Sequence, residues 1–190
     1  MIRIIQQFFH FNSVNTLKLT KSEIEQLCSE IERQWNIHLM TRAVFYSNFS
    51  ETDKFLSPPF YEKKGYLFEV TLPKIKSEKW KKSAQDVGNW LNQNYVIRLY
   101  GILDSKQIRK ISPNPEIIKL VESLRPNVGA HSTGNHVSKM TDLRKATRLI
   151  NSLFNKNIDI QKVENYDLSI DTVLEPMKDK IIDLIKTLNK

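Results

Sequence analysis

A chain of 190 residues with 40% hydrophobic and 26% charged content has the make-up of a globular protein, and its length suits one domain spanning 1–190. Five glycines argue against a Gly-rich β-sandwich or a dinucleotide-binding loop system, and a single cysteine excludes an intramolecular disulfide framework and a cysteine-rich zinc site. The net charge of +8 favours acidic partners such as nucleic acid or an anionic surface. Nothing reads as a leader, since the opening Met1-Ile2-Arg3-Ile4-Ile5 is broken at once by Gln6-Gln7, with His10 and Asn12 following. No apolar run approaches the ~20 residues that cross a bilayer, so a cytoplasmic protein with no membrane partner is expected.

The first element opens at Thr20-Lys21-Ser22-Glu23, a capping box in which each end residue satisfies the other's amide. Apolar positions at Ile24, Leu27, Cys28, Ile31, Trp35, Leu39, Ala43 and Tyr46 carry a helix to about Asn48. Cys28 on that stripe is expected as a buried structural thiol. Residues 51–75 break the pattern, with Ser57-Pro58-Pro59 forbidding helix, and Tyr66–Leu72 reads as a short strand before Pro73. A second helix is expected from Ser77 to Arg109, with Trp80, Ala84, Val87, Leu91, Tyr95, Leu99, Ile102 and Leu103 inward. Its lysines (Lys79, Lys81, Lys82, Lys106, Lys110) form a charged side that reads as solvated surface or, alternatively, as a binding face.

A third helix is signalled by Asn114 as N-cap, Pro115 at the first position and Glu116 in the first turn, with Ile117, Ile118, Val121 and Leu124 as its buried stripe. Pro126 then lacks the amide that would bond the Glu122 carbonyl, and it discourages α conformation at Arg125. Helices over about 138–154 and 171–188 complete the chain, the latter with Pro176 in its first turn. The expected fold class is therefore mainly α: an antiparallel helical bundle with a small β excursion near residues 65–73.

The chemistry concentrates in Leu124-Arg125-Pro126-Asn127-Val128-Gly129-Ala130-His131-Ser132-Thr133-Gly134. Arg is a permanent cation whose planar fork suits a phosphate, and His exchanges protons near neutrality. Together they are the minimum equipment for breaking a phosphodiester without a metal. On a straight helix a six-residue separation sets two side chains about 240° apart. Either Pro126 breaks the helix and redirects Arg125, or a second copy completes the site. The competing structural reading has Arg125 capping helix carbonyls or pairing with Glu122, and His131 as a satisfied buried imidazole. His131 and His136 match no common zinc spacing, so no metal and no cofactor are expected. His10 and His38 lack partners in sequence, and His38 is expected to face the core. The tryptophans (Trp35, Trp80, Trp90) read as core or dimer interface rather than as base-stacking platforms.

Arg125 and His131 enclosing five residues, the preceding stretch Asn94-Tyr95-Val96-Ile97-Arg98-Leu99-Tyr100-Gly101-Ile102-Leu103, and the basic amphipathic helix that follows resemble the HEPN superfamily over about residues 77–155. That family comprises small helical bundles, many of them ribonucleases of bacterial defence and toxin–antitoxin systems, marked by Arg, four to six residues, then His. One departure is plain: Pro126 stands where the family shows a polar residue, and Asn127 comes one place later. The resemblance implies a homodimer whose two motifs meet across a two-fold axis. It implies metal-independent RNA cleavage, with His131 as proton shuttle, Arg125 stabilising the transition state and Asn127 orienting phosphate or imidazole. Ser132, Thr133 and His136 would supply nearby contacts, and Lys139, Arg144, Lys145 and Arg148 would track the RNA backbone. An antitoxin or defence-system protein is the further partner implied. The alternative is a non-catalytic HEPN-like module that binds RNA or a nucleotide or plays a structural part, and a helical interaction protein is a third.

Overall fold

Thr20 and Glu23 close the start of the first helix reciprocally. The Thr20 amide donates to Glu23 Oε2 at 2.9 Å, and the Glu23 amide donates to Thr20 Oγ1 at 3.2 Å, a cap that stabilises a helix by about 1 kcal/mol. The structure, a computed structural model, describes residues 18–48, 54–56, 69–71, 77–111, 114–125 and 140–189. Over these the chain is a mainly helical bundle.

Helix α1 spans Lys21–Asn48, the range its cap and periodicity predict. Ile24, Leu27, Ile31 and Trp35 are buried, and Cys28 and Leu39 half-buried. Further on the stripe swings round: Gln34 and His38 are buried, whereas Ala43, expected inward, is exposed. Two short strands follow, β1 (Lys54–Leu56) and β2 (Glu69–Thr71), paired antiparallel with Phe55 opposite Val70. β2 falls within the expected strand.

Helix α2 spans Ser77–Ser105 and stops four residues short of the expected end at Arg109. Gln107 takes a left-handed conformation (φ 57°) that ends the helical path, and a 3-10 turn covers Ile108–Lys110. The Arg109 guanidinium turns back to bond Asp104. Helix α3 spans Glu116–Leu124. Its start corrects the expected cap. Pro115, extended at ψ 148°, is the capping residue, its carbonyl accepting from the Ile118 and Lys119 amides at 3.0 Å. Asn114 instead donates its amide to Glu122 Oε2 at 3.2 Å.

Helix α4 spans Met140–Phe154 and buries Leu143, Ala146, Leu149 and Ile150. Met140, expected on that stripe, is exposed. The Asn151 side chain then clamps the Ile158 backbone on both sides, at 3.1 and 2.8 Å, which turns the chain into a short helix α5 (Ile160–Glu164) that periodicity did not predict. Asp159 caps α5, accepting from the Lys162 amide at 2.9 Å. A wide π-type turn, Ile170–Leu174, leads into α6 (Glu175–Lys186) with Pro176 in its first turn, as the sequence requires.

α1 packs on α2 and α6, and α3 packs on α4, α2 and α6. Ile31, Leu99, Leu103, Ile118, Leu120, Ile150, Met177, Ile181 and Ile185 meet at the centre. Each contributes about 1.5–3 kcal/mol on burial. A polar staple crosses this core. Asn92 donates to the carbonyls of Tyr166 and Leu168 at 2.9 and 3.0 Å, and accepts from Arg42 at 2.9 Å. It thereby ties α1, α2 and the turn before α6 together.

Candidate nucleic-acid site at the end of helix α3

The end of α3 is fixed from behind. Tyr166 donates its buried hydroxyl to the carbonyl of Leu124, one of the carbonyls that a helix end leaves without an intrahelical partner. Tyr166 sits at φ 55°, and the Asn92 amide bound to its carbonyl holds it there. The next residue is Arg125. Its amide still reaches the Glu122 carbonyl at 3.3 Å, but its backbone is extended at ψ 122°. This is the conformation a following proline imposes. A straight helix through Arg125 is therefore excluded, and the face-angle objection to a shared site falls with it.

The side chain of Arg125 is exposed and lies across α2. Its guanidinium carbon sits 4.6 Å from the centroid of the Tyr100 ring, and Nη1 donates to the Tyr100 hydroxyl at 3.0 Å. A cation over the face of this half-buried ring is worth about 0.5–1 kcal/mol, enough to favour one pose of a long side chain. The pairing of the Arg125 side chain with Glu122, or its capping of helix carbonyls, does not occur: Glu122 is bound by Asn114. Among the described residues no carboxylate pairs with Arg125, so its charge stays available to an anion.

Arg144 and Arg148 lie one turn apart on the exposed side of α4, with Lys145 half-buried between them. None of the three has an ion-pair partner among the described residues. Because α3 packs on α4, the Arg125 cation and this basic strip belong to one helix pair. Asn127, His131, Ser132, Thr133, His136 and Lys139 lie outside the described residues, as does His10.

His38 does face the core, at 5% exposure, between Trp35 and Tyr95, whose ring centroids lie 5.6 and 5.1 Å away. Burial, reinforced by the nearby Arg42 charge, lowers its pKa to about 4, so the imidazole is neutral at physiological pH. Trp35 is core, as expected, but Trp90 is 58% exposed, which removes it from the core. Cys28 is half-buried rather than fully buried, and burial pushes its thiol pKa up, away from a reactive thiolate. Lys178 is buried against Trp35 and bonded to Glu32 and Asp179 at 3.2 and 3.0 Å. Burial works against its charge, yet those two carboxylates hold its pKa above the ordinary lysine value.

Tyr100, Tyr166 and Asn92 are the site-building residues that spacing did not single out. Tyr100 lay inside the stretch that carries the family resemblance, but its partner is 25 positions away. Nothing local marks Asn92 or Tyr166 either, because their bonds span 74 and 42 positions. Among the described residues there is no group of three His, Cys, Asp or Glu side chains placed to hold a metal, and no helix is long and apolar enough to cross a membrane. No family model, curated protein or solved structure matches this chain.

Proposed function

We propose that this protein is a metal-independent endoribonuclease of the HEPN type, acting as a homodimer in phage defence or a toxin–antitoxin system. The observation that supports this best is Arg125: it leaves α3 just before a proline, is steadied on Tyr100, and carries a charge that no carboxylate among the described residues neutralises. A guanidinium fixed in this way stabilises charge on a phosphorane-like transition state without having to be reorganised during the reaction. His131 takes the proton of the ribose 2′-hydroxyl or returns one to the leaving 5′-oxygen. Asn127 orients the phosphate. Arg144, Lys145 and Arg148 hold the strand by its backbone, with Ser132, Thr133, His136 and Lys139 contributing contacts nearer the scissile bond.

The reaction requires the 2′-hydroxyl as nucleophile, so the products are a 2′,3′-cyclic phosphate and a 5′-hydroxyl, and DNA is resistant. The test is incubation of the purified protein with a mixed-sequence RNA in EDTA, followed by analysis of the new ends. Cyclic phosphate ends, and no cutting where the scissile nucleotide is 2′-deoxy, support the reading. Binding of that RNA with no cleavage favours the non-catalytic module instead, for which Pro126 in the family's polar position is the specific motive. Light scattering on the same sample reads the dimer.

A further inference from the structure

A second site is built into the seam between α1 and α2. A cavity of about 200 Å³ opens there, lined by Gln34, Ile37 and His38 from α1 and by Trp90, Tyr95 and Arg98 from α2. Gln34 and His38 sit one helical turn apart on one face of α1. Three of these side chains are more than nine-tenths buried, with Gln34, His38 and Tyr95 at 7%, 5% and 2% exposure. Each has a polar atom without a hydrogen-bond partner: Gln34 Oε1, His38 Nε2 and the Tyr95 hydroxyl. Buried polar atoms are almost always paired, and such a cluster calls for a ligand or ordered water. At ~30 Å³ per water molecule the space holds about six waters, or one fused ring system.

The lining selects the ligand. Inside, every polar group is neutral, including the imidazole, so the deep part suits an uncharged polar edge. Ile37 and Trp90, 44% and 58% exposed, offer apolar surface at the mouth. Arg98 is exposed and has no ion-pair or hydrogen-bond partner among the described residues. It lines both this cavity and an adjoining groove of about 460 Å³ that runs to Lys106, with Gln34 also shared. A neutral hydrogen-bonding ring and an anionic group, a few ångströms apart in one molecule, describe a nucleotide.

We propose that the α1–α2 seam is a nucleotide-binding site, in which the base fills the cavity beside Trp90, its edge meets Gln34 and His38, and its phosphate pairs with Arg98. The site is separate from the one at Arg125. Tyr100, which holds Arg125, lies two positions from Arg98 and so about 200° round α2. The ligand is either a free mononucleotide or one nucleotide of a strand whose next phosphate reaches Lys106.

Calorimetry on the full chain distinguishes these, with AMP, adenosine, ribose 5-phosphate and an eight-residue oligoadenylate as probes. The expected result is saturable one-to-one binding of AMP, adenosine binding about tenfold weaker, and no binding of ribose 5-phosphate. Arg98→Ala brings AMP down to the affinity of adenosine, and Trp90→Ala weakens both. Both residues are on the surface, and circular dichroism checks that the variants stay folded. Binding of the oligonucleotide but not AMP, lost in the same two variants, assigns the site to a strand. Three results overturn the proposal: no probe binds, ribose 5-phosphate binds as well as AMP, or both variants bind like the wild type. RNA cleavage without AMP or oligonucleotide binding at this seam, or binding here without cleavage, tells failure of this proposal apart from failure of the ribonuclease reading.

Discussion

Arg125 rests its guanidinium on Tyr100, 4.6 Å from the ring centroid and 3.0 Å from the hydroxyl, linking the end of α3 to α2 across 25 positions of sequence. The contact separates two contributions that mutation can resolve. Tyr100→Phe removes the hydroxyl and keeps the ring, whereas Tyr100→Ala removes both. Tyr100→Phe is expected to change unfolding free energy by less than about 1 kcal/mol, whereas Tyr100→Ala also removes a half-buried ring packed against the core and is expected to cost about 2 kcal/mol. RNA cleavage is expected to fall about threefold in the first variant and at least about tenfold in the second, since a loosened cation is a misplaced one. Wild-type cleavage by Tyr100→Ala would show that the stacking has no part in the reaction.

Asn92 is the structural counterpart of that contact. Asn92→Leu leaves the carbonyls of Tyr166 and Leu168 without their donor and Arg42 without one of its acceptors. Losing these bonds in a buried setting is expected to cost about 3 kcal/mol in urea unfolding. Tyr166 supports the Leu124 carbonyl, so the same variant should also reduce cleavage under conditions where it remains folded. A loss below about 1 kcal/mol would mean that water replaces the staple.

How much of this was legible in the sequence follows from the range of each interaction. The start of α1 was readable because Thr20 and Glu23 satisfy each other three residues apart. The break at Arg125 was readable because a proline acts on the residue directly before it. The cap of α3 lies one residue later than the sequence signals: Asn114 turns its Nδ2 to Glu122, and its Oδ1, the atom a cap would use, meets no helix amide. The expected end of α2 overruns the observed one because residues 104–110 hold no glycine or proline to signal a stop, and the left-handed turn falls on Gln107. Trp90, which the sequence offers as core or dimer interface, is 58% exposed beside an inner side filled by Leu91, Tyr95 and Leu99, so it is not core. At the candidate site, the cation and its release from the helix were visible in sequence, and the surface that steadies it was not.

Acid should weaken the fold through His38 within a defined window. Its pKa is lowered from 6.5 in the unfolded chain to about 4 in the folded one, so between these values the unfolded chain binds a proton that the folded chain refuses. The neutral imidazole is compatible with the full stability of the fold above pH 6.5, and stability falls as pH drops toward 4, by up to about 3 kcal/mol. His38→Phe is expected to flatten this slope. Glu30, held down to about 2 by Arg33 and Gln34, acts in a lower window: its contribution is present above 4.5 and is lost as pH falls toward 2. Urea titrations at several pH values, on both proteins, measure the difference. Identical slopes would show that His38 is not the group responsible.

The strip on α4 makes a separate prediction about salt. If Arg144 and Arg148 each hold one phosphate, replacing both with glutamine reduces the salt dependence of single-strand RNA binding by about 1.4 in log–log slope. Stability should be unchanged, because both are exposed and unpaired among the described residues. A slope equal to that of the wild type would remove this face from the RNA path.

The ribonuclease proposal is tested most directly by cleavage of a mixed-sequence RNA in EDTA by the wild type, Arg125→Ala and His131→Ala, each shown to be folded. Cutting by the wild type with 2′,3′-cyclic phosphate ends is expected, with a loss of at least about a hundredfold in each variant. A wild type that cuts no RNA, or a His131→Ala variant that cuts as well as the wild type, would contradict it.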